Sequence, residues 1–319
     1  MSPTRAQTIG GALAAGLLIL LAAACRGAGE PLADRATHTE VRELPHPDGQ
    51  LVLPLRDGSV RFAVIGDSGR GDDAQNGVAR QMLAWRQKFP FDFVLMLGDN
   101  IYPPHTPAEY KRKFEDPYRP LLDAGVTFHA AIGNHDDPAT LNYAPFNMNG
   151  NRYYTFRRNE KTLGGLAGAG VRFFVLDTRS VDRPQVEWLT RELAESRTAW
   201  KIVYFHHPLY TSGRYRVGAR ALRSALERTF VNGDVDVVLS GHEHFYERIQ
   251  PQHGIVYFVS GAGGALRLND IRPSTISAAG FDDDTHFMLM EVTGNELYFQ
   301  AISRAGQTVD AGVISRPKE

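Results

Sequence analysis

The sequence of 319 residues predicts an α/β fold. Three observations indicate this class: short apolar runs recur along the chain, candidate helices separate several of them, and a polar cluster closes most runs. Strands that alternate with helices are typical of sheets covered by helices. Unbroken apolar runs are typical of strands that are buried on both faces. Ligands of such sheets bind beyond the carboxyl ends of the strands, which is where the polar clusters fall.

Seven apolar runs are the predicted strands. They are SVRFAVIGD (59–67), FDFVLMLGD (91–99), VTFHAAIGNHD (126–136), VRFFVLDT (171–178), WKIVYFHHP (200–208), VDVVLSGHEH (235–244) and GIVYFVSGAGG (254–264). The predicted helices lie at 73–88, 107–123, 184–196 and 218–232. The stretch 286–315 predicts antiparallel hairpins instead, with turns at Gly294-Asn295 and Ala305-Gly306.

The N-terminal residues 1–25 predict an export signal. Arg5 is their only charged residue, and an uncharged apolar stretch (9–25) ends in small residues and the only cysteine, Cys25. A membrane-spanning helix is the alternative interpretation, but the stretch is short for a bilayer. LAAAC (21–25) resembles the lipobox of bacterial lipoproteins, which implies acylation of Cys25 and a lipid-anchored protein in the bacterial periplasm or at the cell surface.

Composition predicts one catalytic domain. With 43% hydrophobic and 22% charged residues the chain is an ordinary globular sequence, and a formal net charge of −1 without a long basic run indicates no nucleic-acid-binding surface. Residues 26–58 are rich in Gly, Pro, Ala and charge and have no apolar periodicity, which predicts a flexible tether. The catalytic domain is predicted at 59–316.

Five strand ends carry potential metal ligands. They are Asp67 in GDSG, Asp99 and Tyr102 in GDNIY, Asn134 and His135 in GNHD, His206 and His207 in HHP, and His242 and His244 in GHEH. Each motif alone also fits a turn or a hydrogen-bonded strand end. Together, oxygen donors and imidazoles suit Fe, Mn or Zn, and the lack of thiolates argues against a structural zinc site. The donors are too many for one ion, which indicates a two-metal site with a bridging carboxylate.

The order GDxG, GDNxY, GNHD, HxP, GHxH resembles that of the calcineurin-like metallophosphoesterases. The Tyr three residues after the second Asp makes this motif similar to that of the purple acid phosphatase branch, especially its small, tartrate-resistant form. The resemblance implies a four-layer α/β/β/α sandwich of two mixed sheets. It also implies an acid phosphatase-like hydrolase that cleaves phosphate monoesters with a metal-activated hydroxide.

The resemblance implies a role for each site residue. Fe(III) would be bound by Asp67, Asp99, Tyr102 and His244, and a divalent Fe, Zn or Mn by Asp99, Asn134, His206 and His242. Asp99 would bridge the two ions. His206 lies two residues before Pro and is therefore the expected ligand, although a swap with His207 stays open. His135 would donate a proton to the leaving oxygen and Asp136 would orient His135, as carboxylates often do for imidazoles.

Two other functions stay open. The same metal core could serve a phosphodiesterase that acts on nucleotide or phospholipid esters. A surface lipoprotein that binds metal or phosphate without turnover is the second alternative, although every ligand position and His135 are filled. The expected substrate is a phosphorylated small molecule or another phosphoester. Of the remaining histidines, His129 is expected in the core and His105 in a surface loop.

Overall fold

The structure, a computed structural model, describes residues 39–159, 170–196, 198 and 200–316. The first of its two seven-stranded sheets contains β1 (Glu40–Glu43), β2 (Val60–Ile65), β3 (Phe93–Met96), β4 (Thr127–Ala130), β12 (His286–Thr293), β13 (Glu296–Ser303) and β14 (Thr308–Ser315). Their spatial order is β1-β14-β13-β12-β2-β3-β4.

The second sheet contains β5 (Tyr154–Arg158), β6 (Val171–Val175), β7 (Trp200–Phe205), β8 (Val237–Ser240), β9 (Tyr246–Gln252), β10 (Ile255–Ser260) and β11 (Ser277–Phe281). Their spatial order is β11-β9-β10-β8-β7-β6-β5. Both sheets are mixed, since strands β2 to β4 and strands β6, β7, β8 and β10 run parallel while other neighbours are antiparallel.

Helices cover the outer face of each sheet. They are α1 (Asp73–Arg86), α2 (Pro107–Tyr110), α3 (Asp116–Asp123), α4 (Arg183–Glu195) and α5 (Arg216–Asn232), with a π-helical turn at Lys111–Glu115 and 3₁₀ turns at Pro138–Asn142 and Ala144–Phe146. One apolar cluster joins α1 and α3 to the first sheet, and another joins α4 and α5 to the second.

The third apolar cluster lies between the two sheets. Successive side chains of a strand point to opposite faces, so Phe62 of β2 packs in this middle cluster while its neighbour Ala63 packs in the cluster with the helices. Phe62 meets Phe173 of the other sheet edge to face, with ring centroids 5.3 Å apart. The layers therefore run helix, sheet, sheet, helix, and the predicted four-layer sandwich of two mixed sheets is confirmed.

The predicted helix 107–123 is interrupted by its prolines. Pro117 and Pro120 have no N–H, so the helical hydrogen bonds that these positions would donate cannot form, and residues 111–115 adopt a π-helical turn. The carbonyl of Lys113, four residues before Pro117, accepts a hydrogen bond of 2.5 Å from Gln75 Nε2 of α1 instead. The buried carbonyl is thus satisfied by the neighbouring helix.

The predicted tether 26–58 is wrong for its second half. Residues Glu40–Glu43 form β1, which pairs antiparallel with β14, and Leu53 is buried in the cluster under α1. The sequence EVRE of β1 contains no apolar run, because the strand is held by backbone hydrogen bonds to β14 and its side chains are mostly exposed. The folded part therefore begins well before residue 59.

The predicted export signal (1–25), with Cys25, and residues 26–38 lie outside the described residues. In the part of the chain that the structure describes, no helix combines the length and the apolar character needed to cross a bilayer.

Candidate metal centre

Loops from both sheets meet at one place. Asp67 lies two residues after β2 and Asp99 three residues after β3, whereas His206 directly follows β7 and His242 lies two residues after β8. The backbone N–H of His242 donates to Asp67 Oδ2 at 2.8 Å, which joins the loops of the two sheets. The strand ends therefore bring together the polar motifs that the sequence singled out.

Three of these residues have left-handed backbone. Their φ angles are 54° for Asp67, 51° for Asp99 and 69° for His242. Non-glycine residues in this region are uncommon, and they cluster at functional sites where the surrounding structure holds them in place. The sharp turn at each loop redirects the carboxylate or imidazole towards the same centre.

Glycines make room for these side chains. Gly98 has φ +93°, and a Cβ at this position would lie 2.6 Å from His206 Nδ1. A Cβ on Gly241 would lie 2.5 Å from Asp67 Oδ2, and one on Gly133 would overlap Asp99 Oδ1. Each of these glycines precedes a polar residue of the centre. A side chain at its position would collide with a neighbouring donor, so Gly is required for space as well as for the turn.

One set of donor atoms surrounds the Tyr102 hydroxyl. This oxygen lies 3.2 Å from His244 Nε2 and 3.4 Å from Asp67 Oδ1, and His244 Nε2 lies 3.3 Å from Asp67 Oδ1. Ligands bound to a metal at about 2.0–2.2 Å with near-tetrahedral or octahedral angles are about 3–3.5 Å apart. These three atoms have the mutual spacing of ligands to one ion.

A second set surrounds His206 Nε2. This nitrogen lies 3.0 Å from Asn134 Oδ1, 3.2 Å from His242 Nδ1 and 3.4 Å from Asp99 Oδ1. The other ring nitrogen, His206 Nδ1, lies 3.0 Å from the Leu97 carbonyl. A hydrogen bond donated from Nδ1 to that carbonyl leaves Nε2 free to bind a cation.

Asp99 lies near both sets, because ligand atoms of Asp67, Asp99 and His206 all lie within 4.8 Å of one another. Its carboxylate is buried, Oδ1 accepts a hydrogen bond of 2.8 Å from the His135 N–H, and Oδ2 has no hydrogen-bond partner among the described residues. Burial alone raises the pKa of Asp99, but the facing His206 holds it below its usual value overall. An ionised, buried oxygen without a partner is costly, so its position fits a bound cation.

The charges around the centre also favour a cation. Burial raises the pKa of Tyr102 strongly, and the nearby Asp67 and Asp99 raise it further. Burial opposes the charged form of His206, yet the same two carboxylates raise its pKa to about 9. Burial and the charge on His206 lower the pKa of His242 to about 2, so this ring is in the neutral form that binds metals.

His135 lies at the open side of the centre. Its side chain is exposed, and its ring packs against Tyr102 with centroids 4.8 Å apart. The backbone is held from two sides, because its N–H donates to Asp99 Oδ1 and its carbonyl lies 2.8 Å from His105 Nε2. His105, expected in a surface loop, also lies 2.9 Å from the carbonyl of Ile101 and so ties two site loops together.

Asp136 does not orient His135, contrary to the expectation. Its Oδ2 accepts hydrogen bonds of 2.8 Å from Asn100 Nδ2 and from the Gly133 N–H, and its Oδ1 accepts one of 2.9 Å from the Ile101 N–H. The side chain is buried, and the Asp136 N–H donates to the Gly133 carbonyl at 3.3 Å, which closes a turn over residues 133–136. Asp136 therefore fastens the GNHD loop to the GDNIY loop, and burial followed by the charge of Asp99 raises its pKa to about 6.

His207 lies next to the second set of donors. Its ring centroid is 4.3 Å from that of His242, and its Nδ1 lies 3.1 Å from the Thr178 hydroxyl. Burial and the charge on His206 lower its pKa to about 4. Ligand atoms of His206, His207 and His242 all lie within 4.8 Å of one another, so the alternative of a ligand at His207 stays open.

Two residues near the centre were not predicted from the sequence. Glu243, between the two histidines of GHEH, is buried, and its Oε1 accepts a hydrogen bond of 2.8 Å from the Tyr215 N–H. Its place inside a ligand motif could have drawn attention to it. Arg267 lies 3.4 Å from His244 Nε2 through Nη2, but it lies in a loop that carries no motif.

His129 is buried, as expected, and stacks on Phe156.

The chain is similar to known phosphoesterases. A family profile described as "Calcineurin-like phosphoesterase" matches residues 60–246. Purple acid phosphatase 7 of Arabidopsis thaliana is 27% identical over 309 residues, which are 87% of this chain and 92% of that protein. Tartrate-resistant acid phosphatase type 5 of Oryctolagus cuniculus is 26% identical over 262 residues, which are 70% of this chain and 78% of that protein.

Solved structures share the fold. GAP50, described as the anchor in the inner membrane complex of Plasmodium, superposes with a TM-score of 0.72 at 19% identity, over 82% of this chain and 90% of that chain. The purple acid phosphatase PPD1 of Lupinus luteus superposes with a TM-score of 0.63 at 20% identity, over 85% of this chain and 55% of that chain. At these identities the likeness is one of fold.

Proposed function

This chain belongs to the calcineurin-like phosphoesterase family of hydrolases, and from that premise we propose that it hydrolyses phosphate monoesters as a purple acid phosphatase-type enzyme. The observation that carries the proposal is the pair of donor sets on either hand of Asp99, which lies near both and whose Oδ2 lacks a hydrogen-bond partner among the described residues. A bridging carboxylate between two ions is the arrangement that phosphoryl transfer commonly uses. The names of the matched relatives support the same chemistry.

The residues present fit two metal ions. We assign Asp67, Tyr102 and His244 to an Fe(III) ion, Asn134, His206 and His242 to a divalent Fe, Zn or Mn ion, and Asp99 to both. The donor spacings of 3.0–3.4 Å within each set support this assignment. When bound, the two cations supply the charge that activates a water molecule as nucleophile and that offsets charge on the phosphoryl oxygens.

The chain's own residues hold the substrate and move a proton. His135 is exposed beside Tyr102, so its imidazole can reach an ester oxygen and donate a proton to it as the bond to phosphorus breaks. Asp99 and His105 fix the backbone of His135 from opposite sides, which keeps the imidazole in place. Asp136 acts through the loop backbone and takes no part in proton transfer.

Kinetics with two esters test the proposal. Purified protein loaded with iron and zinc is expected to hydrolyse p-nitrophenyl phosphate faster than bis(p-nitrophenyl) phosphate, and His135→Gln is expected to lower turnover of the monoester by about 10²–10⁴-fold. A faster reaction with the diester would assign the protein to phosphodiesters. Two bound metals with no turnover of either ester would identify a binding protein instead.

The matching ligand test uses the two neighbouring histidines. His206→Ala is expected to lose the second metal ion, whereas His207→Ala is expected to keep it, as measured by metal analysis. The reverse result would assign the ligand to His207, which also lies beside His242.

We also propose export with a lipid anchor on Cys25, as the N-terminal sequence suggests. A Cys25→Ser variant is expected to leave the membrane fraction or to remain uncleaved, because an anchor made by acylation is lost with its cysteine. A processed variant that stays membrane-bound would contradict the lipid anchor.

A further inference from the structure

Arg267 lies in the loop between β10 and β11, beside the GHEH motif. Its backbone N–H donates to the His244 carbonyl at 3.1 Å, so its position is tied to that residue. Its guanidinium Nη2 lies 3.4 Å from His244 Nε2, the atom that also faces Asp67 and Tyr102. The positive group therefore lies at the edge of the first donor set.

The acidic neighbours of Arg267 form only long contacts with it, and Glu243 Oε2, which faces the guanidinium, has no hydrogen-bond partner among the described residues. Asp270 accepts hydrogen bonds of 2.8 and 3.1 Å from Arg214 Nε, and Glu243 accepts one from the Tyr215 N–H. Arg267 Nη1 lies 3.7 Å from Glu243 and 3.9 Å from Asp270. Its hydrogen-bond contacts with the described residues, to the His242 carbonyl and to His244 Nε2, are both long, at 3.4 Å.

Tyr215 holds the guanidinium in place. The Arg267 Cζ lies 5.3 Å from the Tyr215 ring centroid, a distance at which a cation and an aromatic face attract each other. The same ring lies 4.1 Å from the ring of His242. Since the Arg267 side chain is 21% exposed, its donors are partly shielded from water and can still meet a ligand.

We propose that Arg267 binds a phosphoryl oxygen of the substrate and selects monoesters over diesters. A guanidinium is planar and offers paired donors that match phosphate oxygens. A phosphate monoester carries a charge near −2 at pH 7, whereas a diester carries one negative charge. An additional fixed positive charge beside the metal centre therefore favours the monoester. This inference rests on the proposed phosphatase function.

Phosphate binding tests the proposal apart from turnover. In metal-loaded Arg267→Gln, the Kd of inorganic phosphate at pH 7, measured by calorimetry, is expected to rise about 10–100-fold, the usual effect of losing a charged hydrogen bond. The kcat/KM ratio of p-nitrophenyl phosphate to bis(p-nitrophenyl) phosphate is expected to fall. Arg267→Lys should retain part of both properties because it keeps the charge without the planar pair of donors.

Arg183→Gln is the matched control. Arg183 is an exposed residue of α4 that pairs with Glu187, so its replacement removes one positive charge away from the centre. The control should bind phosphate as the wild type does, and metal analysis should give two ions per chain in every variant.

Two outcomes would overturn the assignment of Arg267. One is an Arg267→Gln variant with two metal ions, wild-type phosphate affinity and an unchanged ester ratio. The other is loss of a metal ion in that variant, which would mean that Arg267 supports His244 instead. Failure of the proposed phosphatase function would be seen in the wild type instead. The wild type would then bind phosphate but hydrolyse neither ester.

Discussion

Asp99 and His206 face each other in the buried part of the centre, with Asp99 Oδ1 3.4 Å from His206 Nε2. They follow strands of different sheets, β3 and β7. The second oxygen of Asp99 has no hydrogen-bond partner among the described residues. The same carboxylate lies near Asp67 of the first donor set, since ligand atoms of Asp67, Asp99 and His206 all lie within 4.8 Å of one another.

Replacement of Asp99 by Asn is the most direct test of the shared carboxylate. A neutral amide cannot bridge two cations, so metal content and hydrolysis are expected to fall together, by more than the roughly 10–100-fold typical of residues around metal ligands. Metal analysis and turnover of p-nitrophenyl phosphate measure the two effects. Asp92→Asn, an exposed carboxylate directly before β3, is the control. Two tightly held ions in Asp99→Asn would refute the bridge.

Tyr102→Phe tests whether Tyr102 binds Fe(III), which would distinguish this protein from metallophosphoesterases that lack a tyrosine ligand. Burial and two carboxylates raise the pKa of Tyr102, so the phenolate is expected only when a strongly charged cation binds it. Iron-loaded, oxidised wild type should show a visible absorption band, and Tyr102→Phe should lose it while some phosphatase activity remains. Tyr143→Phe, whose hydroxyl donates to Glu115, should keep the band. A colourless wild type would indicate a Zn- or Mn-dependent enzyme.

Two glycines with left-handed backbone give a matched pair for the packing around His206. Gly98 and Gly125 have φ of +93° and +79°, but a Cβ at Gly98 would collide with His206, whereas one at Gly125 would meet nothing within 4 Å. Gly125→Ala should therefore cost about 1 kcal/mol of stability from backbone strain alone. Gly98→Ala should cost more and should weaken metal binding, as measured by urea unfolding and metal titration. Equal losses in both variants would contradict the close approach.

Stability is expected to depend on pH through His286. This ring is fully buried, and burial lowers its pKa to about 3. Below about pH 6.5 the unfolded chain takes up a proton that the folded chain does not. The free energy of unfolding should therefore fall by about 2.5 kcal/mol from pH 6 to pH 4 because of this group. The loss continues down to the folded pKa.

His286→Gln removes that titration and is expected to reduce the dependence by that amount, as measured by urea unfolding at several pH values. The matched control is His253→Gln, which removes a histidine in the turn between β9 and β10, outside the core. If the slope were the same in wild type and His286→Gln, the buried neutral histidine would not be its cause.

The sequence predicted the strands that lead to the centre because each is a buried apolar run that ends in a short polar motif. It could not predict β1, whose sequence EVRE is mostly exposed and is held by backbone hydrogen bonds to β14. It also could not predict the direction of the Asp136 side chain. Adjacency to His135 suggested a contact, but the turn of the chain places the carboxylate against Asn100 instead. The position of Arg267 could not be predicted either, because it depends on a loop that brings this residue, 23 positions further along the chain, back to His244.

The joining of the two sheets at Asp67 and His242 has a consequence for the maturation of the protein. These residues are separated by 175 positions, and their hydrogen bond closes the gap between loops of both sheets. Contacts so distant along the chain form slowly and late in folding. The metal-binding side chains that follow the strands of one sheet make only part of the site. Nascent or partly folded chains should therefore bind iron or zinc weakly. We therefore expect metal uptake to follow folding, in whichever compartment folding is completed.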